Sequence, residues 1–373
     1  MANGISQTKA LQIQDGIYAV GAAQKDRAEF HGYSVSRGVT YNAYLLRGNN
    51  GKYTLIDTVL NECASQLMER ISSVTEPSNI EAVIINHTEP DHSSALPEVL
   101  KACNPVIYAT AAASKFLCSM YGVCNAQTVK SGDEITVGGR IYKFLATPMV
   151  HWPDNMVTYL PSEQILFSND AFGQHYAASE AIDTLCDLKA ALEEATHYFA
   201  NIVMPYRAPT LKALQAAASL PIKTIAPSHG VIWTKHIPDI INLYTELCGN
   251  GQTAATLVFD SMWGGTAQRA KEAADELNKS YSDIRTFDLR KDPLSNVMAS
   301  LATSKHVCIG SPTYNGFPTP HISTLIAEIE ALKPPVIEYS LFGTFGWGGG
   351  ASKKLAEKLD SLGLKKTFDL TRA

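Results

Sequence analysis

The stretch Ile85-Asn86-His87-Thr88-Glu89-Pro90-Asp91-His92-Ser93-Ser94, INHTEPDHSS, sets two imidazoles and two carboxylates within six residues, directly after the apolar run Ala82 to Ile85. The run reads as a buried strand and the polar residues as the turn leaving it, with a helix beginning near Ser93. Burying several ionisable groups without partners is costly, so the cluster must be solvated, mutually paired or bound to metal. On its own the motif leaves a solvated polar loop and a metal site equally open.

Three later residues stand in similar places. His151 follows Phe144-Leu145-Ala146-Thr147-Pro148-Met149-Val150, Asp170 closes Ile165-Leu166-Phe167-Ser168-Asn169, and His229 closes Thr224-Ile225-Ala226-Pro227-Ser228. Each alone reads as a hydrogen-bonded loop residue. With the opening motif they supply four imidazoles and three carboxylates, the complement of a dinuclear site.

The surrounding rhythm predicts two domains, as 373 residues allow. Up to Cys248-Gly249-Asn250-Gly251-Gln252, short strands follow quickly: Gly16 to Val20, Ala43 to Leu46, Tyr53 to Asp57, Ala82 to Ile85, Val106 to Ala109, Ile141 to Ala146, Met156 to Leu160 and Ile165 to Phe167. Helices are expected at Ser93 to Ala102 and Leu188 to Ala200. After that break, strands at Ala255 to Phe259, Ile284 to Leu289, Val307 to Ile309 and Val336 to Phe342 alternate with helices at Ala267 to Lys279, Ile322 to Leu332 and Ser352 to Leu362. Unalternating strands between amphipathic helices predict a doubly wound parallel α/β sheet. The expected domains are 1–250 and 253–373.

Ligands of such a sheet sit beyond the carboxyl ends of its strands. The first loop there, Ser261-Met262-Trp263-Gly264-Gly265-Thr266, offers hydroxyls and backbone N–H groups at a helix N-terminus, suited to a monophosphate. Neither GxxxxGK[ST] nor GxGxxG is present, which argues against a nucleoside triphosphate or a dinucleotide. The second loop, Ser311-Pro312-Thr313-Tyr314-Asn315-Gly316, and the third, Gly343-Thr344-Phe345-Gly346-Trp347-Gly348-Gly349-Gly350, join aromatics able to lie on a planar ring with glycines that let the backbone approach it.

Composition narrows the function classes. With 45% hydrophobic and 18% charged residues and a formal charge of −5, the chain reads as globular with no pull toward nucleic acid. No apolar run reaches membrane-spanning length, and MANGISQTKALQIQDG lacks the basic-then-apolar plan of a signal peptide, so a cytoplasmic location is expected. Seven scattered cysteines without a CxxC pair suit a reducing compartment.

The three loops resemble those of flavodoxin, which implies FMN bound through Ser261, Met262, Trp263, Gly264, Gly265 and Thr266, through Ser311, Pro312, Thr313, Tyr314, Asn315 and Gly316, and through Thr344, Phe345, Gly346, Trp347, Gly348 and Gly349. The last helix of a flavodoxin-like domain is expected to be absent or cut off, since the chain stops at Lys366-Thr367-Phe368-Asp369-Leu370-Thr371-Arg372-Ala373. The pattern HxExDH, then His, Asp and His, resembles the metallo-β-lactamase fold, an αββα sandwich in which hydrolases generally carry HxHxDH and zinc. Here Glu89 stands at the second histidine position, and a carboxylate ligand there makes a harder site that allows higher coordination and favours iron over tetrahedral zinc.

The two halves together resemble the flavodiiron proteins, also called A-type flavoproteins. The resemblance implies an α+β lactamase-like domain followed by an α/β flavodoxin-like one, with His87, Glu89 and His151 on one iron, Asp91, His92 and His229 on the other, and Asp170 bridging. His92 is not always a ligand in that family. It also places His31, in Phe30-His31-Gly32-Tyr33, and Tyr198 near the substrate pocket. The implied activity is reduction of O₂ to water, of NO to N₂O, or of both. Electrons would come from a rubredoxin, a reductase or a reduced deazaflavin. The implied assembly is a head-to-tail homodimer or a dimer of dimers, which sets one subunit's FMN beside the other's irons. Two competing readings are a dinuclear zinc hydrolase of glyoxalase II type with a flavodoxin-like appendage, and a flavin electron carrier with a docking scaffold.

Overall fold

The computed structural model describes residues 9–250 and 252–373, so most of the leading MANGISQTK segment lies outside the described residues. By packing, the chain separates into two units: Met1–Ala28 with Val35–Ala195 and Ala208–Tyr244, and Glu29–Ser34 with Thr196–Arg207 and Thr245–Ala373. Two short excursions of the N-terminal half therefore pack with the second unit.

In the first unit two sheets face each other. A mixed sheet runs in the order Leu11–Gln14, Ile17–Ala19, Tyr44–Arg47, Tyr53–Ile56, Ile80–Ile84, Val106–Ala109, Gln127–Thr128. The other runs Glu134–Val137, Arg140–Ala146, Met156–Leu160, Ile165–Asn169, Thr224–Pro227, antiparallel except for its last, parallel pair. Tyr44, Leu46, Ile56 and Ile84 of the first meet Tyr142, Phe144, Ile165 and Phe167 of the second in one buried core. Each such side chain contributes roughly 1.5–3 kcal/mol on leaving water. Val157, Tyr159 and Leu166 point the other way, into a smaller cluster with Leu220 and Ile222. Met156–Leu160 is thus buried at every position, because both its faces are covered.

The helix expected from Ser93 to Ala102 is in fact two. Pro90 begins one at Pro90–Ser93, and Pro97 lies in the first turn of Leu96–Ala102. Proline lacks the N–H that an interior helical turn must donate, so it is stable only where a helix begins. Asp91 and His92 consequently ride on a helical turn. The helix Ala111–Tyr121 is capped by Thr110, whose hydroxyl accepts from Ala113 N, and ends at Gly122 with φ +72°. That reversal brings Cys124 back to Cys118, and the two form a disulfide. The expectation that all the cysteines suit a reducing compartment is corrected at this pair; the other five thiols are free.

The second unit holds a five-stranded, all-parallel sheet in the order Ile284–Asp288, Ala254–Phe259, Ser304–Gly310, Glu338–Thr344, Lys365–Arg372. Strand order reverses at Ala254–Phe259, which opens a crevice beyond the carboxyl ends of its neighbours. Lys365–Arg372 forms one edge. The helix Leu294–Leu301 has no counterpart among the expected elements; it is short and lacks a capping side chain.

Candidate functional site

Beyond Ile80–Ile84 the backbone bonds of Ile84 and Ile85 to Asp57 and Tyr108 give way to side-chain ties at Asn86. Asn86 donates its backbone N–H to Asp57 Oδ1 at 2.7 Å and its amide to Asp57 Oδ2 at 3.0 Å, while Asn86 Oδ1 accepts from Thr158 Oγ1 at 2.7 Å. The chain then enters the Pro90 helix with His87, Glu89, Asp91 and His92 all buried. His151 leaves the loop after Arg140–Ala146, Asp170 directly follows Ile165–Asn169, and His229 follows Thr224–Pro227. Strand ends from both sheets thereby converge on one rim of the sandwich.

The seven candidates form two groups of buried donor atoms: His87, Glu89, His151 and Asp170, and Asp91, His92 and His229, with the atoms of each group within 4.8 Å of one another. Asp170 turns one oxygen to each group. Its Oδ2 lies 3.5 Å from His87 Nε2 and 3.2 Å from His151 Nε2, and its Oδ1 lies 2.9 Å from His92 Nε2 and 3.8 Å from His229 Nε2. Glu89 Oε2 stands 3.0 Å from His151 Nε2, and Asp91 Oδ2 stands 3.2 Å from His229 Nε2.

These groups need a cation. Among the described residues, Asp91 Oδ1 and His92 Nδ1 are buried with no hydrogen-bond partner, and Asp91 Oδ2 and both oxygens of Asp170 meet only the imidazoles of the same two groups. Burial works against charging the imidazoles, but the surrounding carboxylates outweigh it. Asp91 and Asp170 push His92 up to about 9, Asp170 and Glu89 do the same for His151, and His87 rises well above its ordinary value. Burial alone would raise Asp170, yet His92, His151 and His87 hold it well below the usual carboxylate range. A site of this character holds protons until a metal ion displaces them. His229 has its tautomer set: its Nδ1 faces the Thr40 carbonyl at 2.5 Å, which only accepts, so Nε2 is left to coordinate.

Two supporting acids are missed by the sequence reading. Asp57 reads there only as the end of a strand run, although its place resembles that of Asp170. Asp154, three residues beyond His151, lies fully buried beside His87.

At the crevice of the second unit the three loops are tied together. Ser261 Oγ accepts from Gly264 N at 3.1 Å and Ala267 N at 3.3 Å, opening the helix Gly265–Leu277. Thr266 Oγ1 meets Thr344 Oγ1 at 3.1 Å, and Thr313 N donates to Thr344 O at 2.9 Å. Tyr314 and Phe317 exchange backbone hydrogen bonds across Asn315 and Gly316, both at positive φ, which is the tight primed turn an Asn-Gly pair favours. Trp263 and Trp347 are 94% and 93% exposed, and Tyr314 and Phe317 are also exposed. So much bare aromatic surface at a ligand-binding edge suits a planar group laid over it. The backbone anion site at the helix start suits that group's phosphate.

His31 and Tyr198 are held by the second unit. His31, at φ +50°, tips the hairpin of Glu29–Phe30 and Tyr33–Ser34 and is exposed, with its ring 4.1 Å from that of Phe30. Tyr198 is buried where the helix Leu188–Tyr198 gives way to the π-helical turn Phe199–Val203.

Residues 39–230 match the family model described as ODP family beta lactamase, and residues 257–373 match that of flavodoxin. A nitric oxide reductase of Moorella thermoacetica is 37% identical over 94% of this chain and 90% of its own. The solved rubredoxin oxygen:oxidoreductase of Desulfovibrio gigas superposes with a TM-score of 0.92 at 34% identity, covering 97% of this chain and 93% of that one. The flavodiiron protein of Giardia intestinalis does so at 0.90 and 29%, covering 97% and 92%. Two domain matches in this order, full-length relatives and a rim of paired carboxylates and imidazoles agree: the chain belongs to the flavodiiron protein family.

Proposed function

We propose that this chain is an oxygen and/or nitric oxide reductase with a lactamase-like diiron domain over 1–250 and an FMN domain over 253–373. The observation that carries the reading is Asp170, whose two oxygens each face one of two buried donor groups in a chain that also bears three flavin-type loops. His87, Glu89 and His151 would hold one iron, Asp91, His92 and His229 the other, and Asp170 would bridge them. The names of the relatives, a nitric oxide reductase and a rubredoxin oxygen:oxidoreductase, support both gases as substrates.

When bound, FMN takes up electrons in pairs and releases them singly, and with two ferrous ions it completes the four needed for O₂ or exceeds the two needed for a pair of NO. The protein's role is to orient and exclude. Pro90 fixes the helical turn that aims Asp91 and His92, Asp57 fixes the strand end behind His87, and burial of every donor keeps bulk water from the centre. Ser261 and the N-terminus of Gly265–Leu277 would hold the FMN phosphate, with Trp263, Tyr314 and Trp347 flanking its ring.

His31 is assigned a hydrogen bond to bound gas or reduced product, and Tyr198 a place lining the same pocket. The electron donor is a separate rubredoxin, reductase or reduced deazaflavin, and the working form is a head-to-tail homodimer in the cytoplasm. No helix among the described residues is long and apolar enough to cross a membrane. Metal and flavin analysis, followed by anaerobic stopped-flow mixing of the reduced protein with each gas, tests the reading. Two irons, a flavin band and rapid reoxidation by O₂ or NO are expected; two zincs in a colourless protein would overturn it.

A further inference from the structure

The two donor groups are alike in kind. Each has one carboxylate of its own, Glu89 or Asp91, two imidazoles, and a share of Asp170. Apart from the length of that carboxylate, what differs between the two positions is what stands behind the imidazoles.

Those surroundings are unequal. His229 Nδ1 faces a neutral backbone carbonyl, that of Thr40, and His92 Nδ1 has no hydrogen-bond partner among the described residues. His87 Nδ1 instead lies 3.3 Å from each oxygen of Asp154. That carboxylate is wholly buried and fixed. Its Oδ2 accepts from Thr88 N at 2.8 Å and from Thr88 Oγ1 at 2.7 Å, and the Asp154 carbonyl accepts from Thr110 Oγ1 at 3.0 Å. Thr88 sits between His87 and Glu89, so one acid sets both the ring of the first ligand and the pitch of the chain leading to the second.

A carboxylate accepting from Nδ1–H lends negative charge to the imidazole and makes Nε2 a stronger donor; a backbone carbonyl lends less. We propose that Asp154 is a positioning residue that makes the His87, Glu89 and His151 position the tighter of the two, filled first by ferrous ion and emptied last. The inference rests on the diiron reading.

The test is anaerobic titration of the metal-free, full-length protein with ⁵⁷Fe-enriched ferrous ion, followed by calorimetry and Mössbauer spectroscopy. The wild type is expected to bind two ions in two steps, with a single quadrupole doublet dominating up to one equivalent. Asp154→Asn still accepts from Thr88 N but loses the anion behind His87, so its first step should weaken by about 10- to 100-fold and the two positions should fill together. Thr88→Val removes one support of the carboxylate and leaves its charge, so the order of filling should survive. Equal filling in the wild type, ordered filling in Asp154→Asn, or an effect of Thr88→Val as large as that of Asp154→Asn would each overturn the proposal. Fewer than two ferrous ions bound by the wild type at saturation would overturn the diiron reading itself.

Discussion

At the scale of single residues, Glu89 separates this site from a zinc hydrolase. It stands 3.0 Å from His151 Nε2 and 3.3 Å from His87 Nε2, so it belongs to the same donor group as two imidazoles. Glu89→His would leave that position with three imidazoles and the shared Asp170, a set suited to zinc. In cells supplied with both metals, the iron-to-zinc ratio of the purified variant should fall about tenfold, equivalent to ~1.4 kcal/mol of altered preference, with flavin content unchanged. An unaltered ratio by elemental analysis would remove Glu89 as the selector. The ligand candidates are legible in the sequence because each is a polar group ending an apolar run, where burial without a partner is costly. Asp154 is not, because its meaning lies in contacts with His87, Thr88 and Thr110 that no local pattern records.

At the scale of elements, the long buried strands are legible in the sequence and the small exposed ones are not. Gln127–Thr128 is two exposed residues, and Glu134–Val137 alternates exposed with half-buried positions, so neither gives the apolar run that announces Met156–Leu160. The two-helix form turns on Pro90, which starts a helical turn ahead of the expected Ser93, and on Pro97, which restarts the helix inside the expected Ser93 to Ala102 span. In the second unit, the third flavin-type loop depends on glycines with different duties. A Cβ at Gly343 would lie 2.0 Å from the carbonyl oxygen of Ser311, backbone that cannot swing aside, whereas a Cβ at Gly346 would meet nothing within 4 Å. Gly343→Ala should therefore force the neighbouring loop-bearing strands away from each other, costing about 1–3 kcal/mol and releasing flavin early in a thermal ramp followed by flavin fluorescence. Gly346→Ala should leave the unfolding temperature of the flavin-free protein unchanged and weaken FMN binding alone. If both variants unfold alike, the close approach of Gly343 to Ser311 does not govern the loop.

At the scale of the whole molecule, the donor groups belong to one unit and the flavin loops to the other, and each sequence half announces its own chemistry independently. What neither half encodes locally is how the two chemistries would be joined, because a homodimer interface such as the one proposed is read only from a surface and its symmetry mate. The head-to-tail proposal makes a demand that mixed subunits can meet. Asp170→Ala removes the carboxylate shared by both metal groups, and Ser261→Glu sets a negative charge where a flavin phosphate would bind. Each homodimer should be inactive, the first for want of metal and the second for want of flavin. A heterodimer carrying one of each, purified through two different tags, keeps one intact flavin facing one intact metal centre across the interface. It should recover about half the wild-type rate of O₂ or NO consumption, since one of two equivalent sites works. If electrons passed only within a chain, neither subunit would hold both groups and the heterodimer would be as inactive as its parents. Oxygen- and nitric-oxide-electrode assays on that purified heterodimer decide between the two routes, and an inactive heterodimer that still contains one flavin and two irons would eliminate the head-to-tail arrangement.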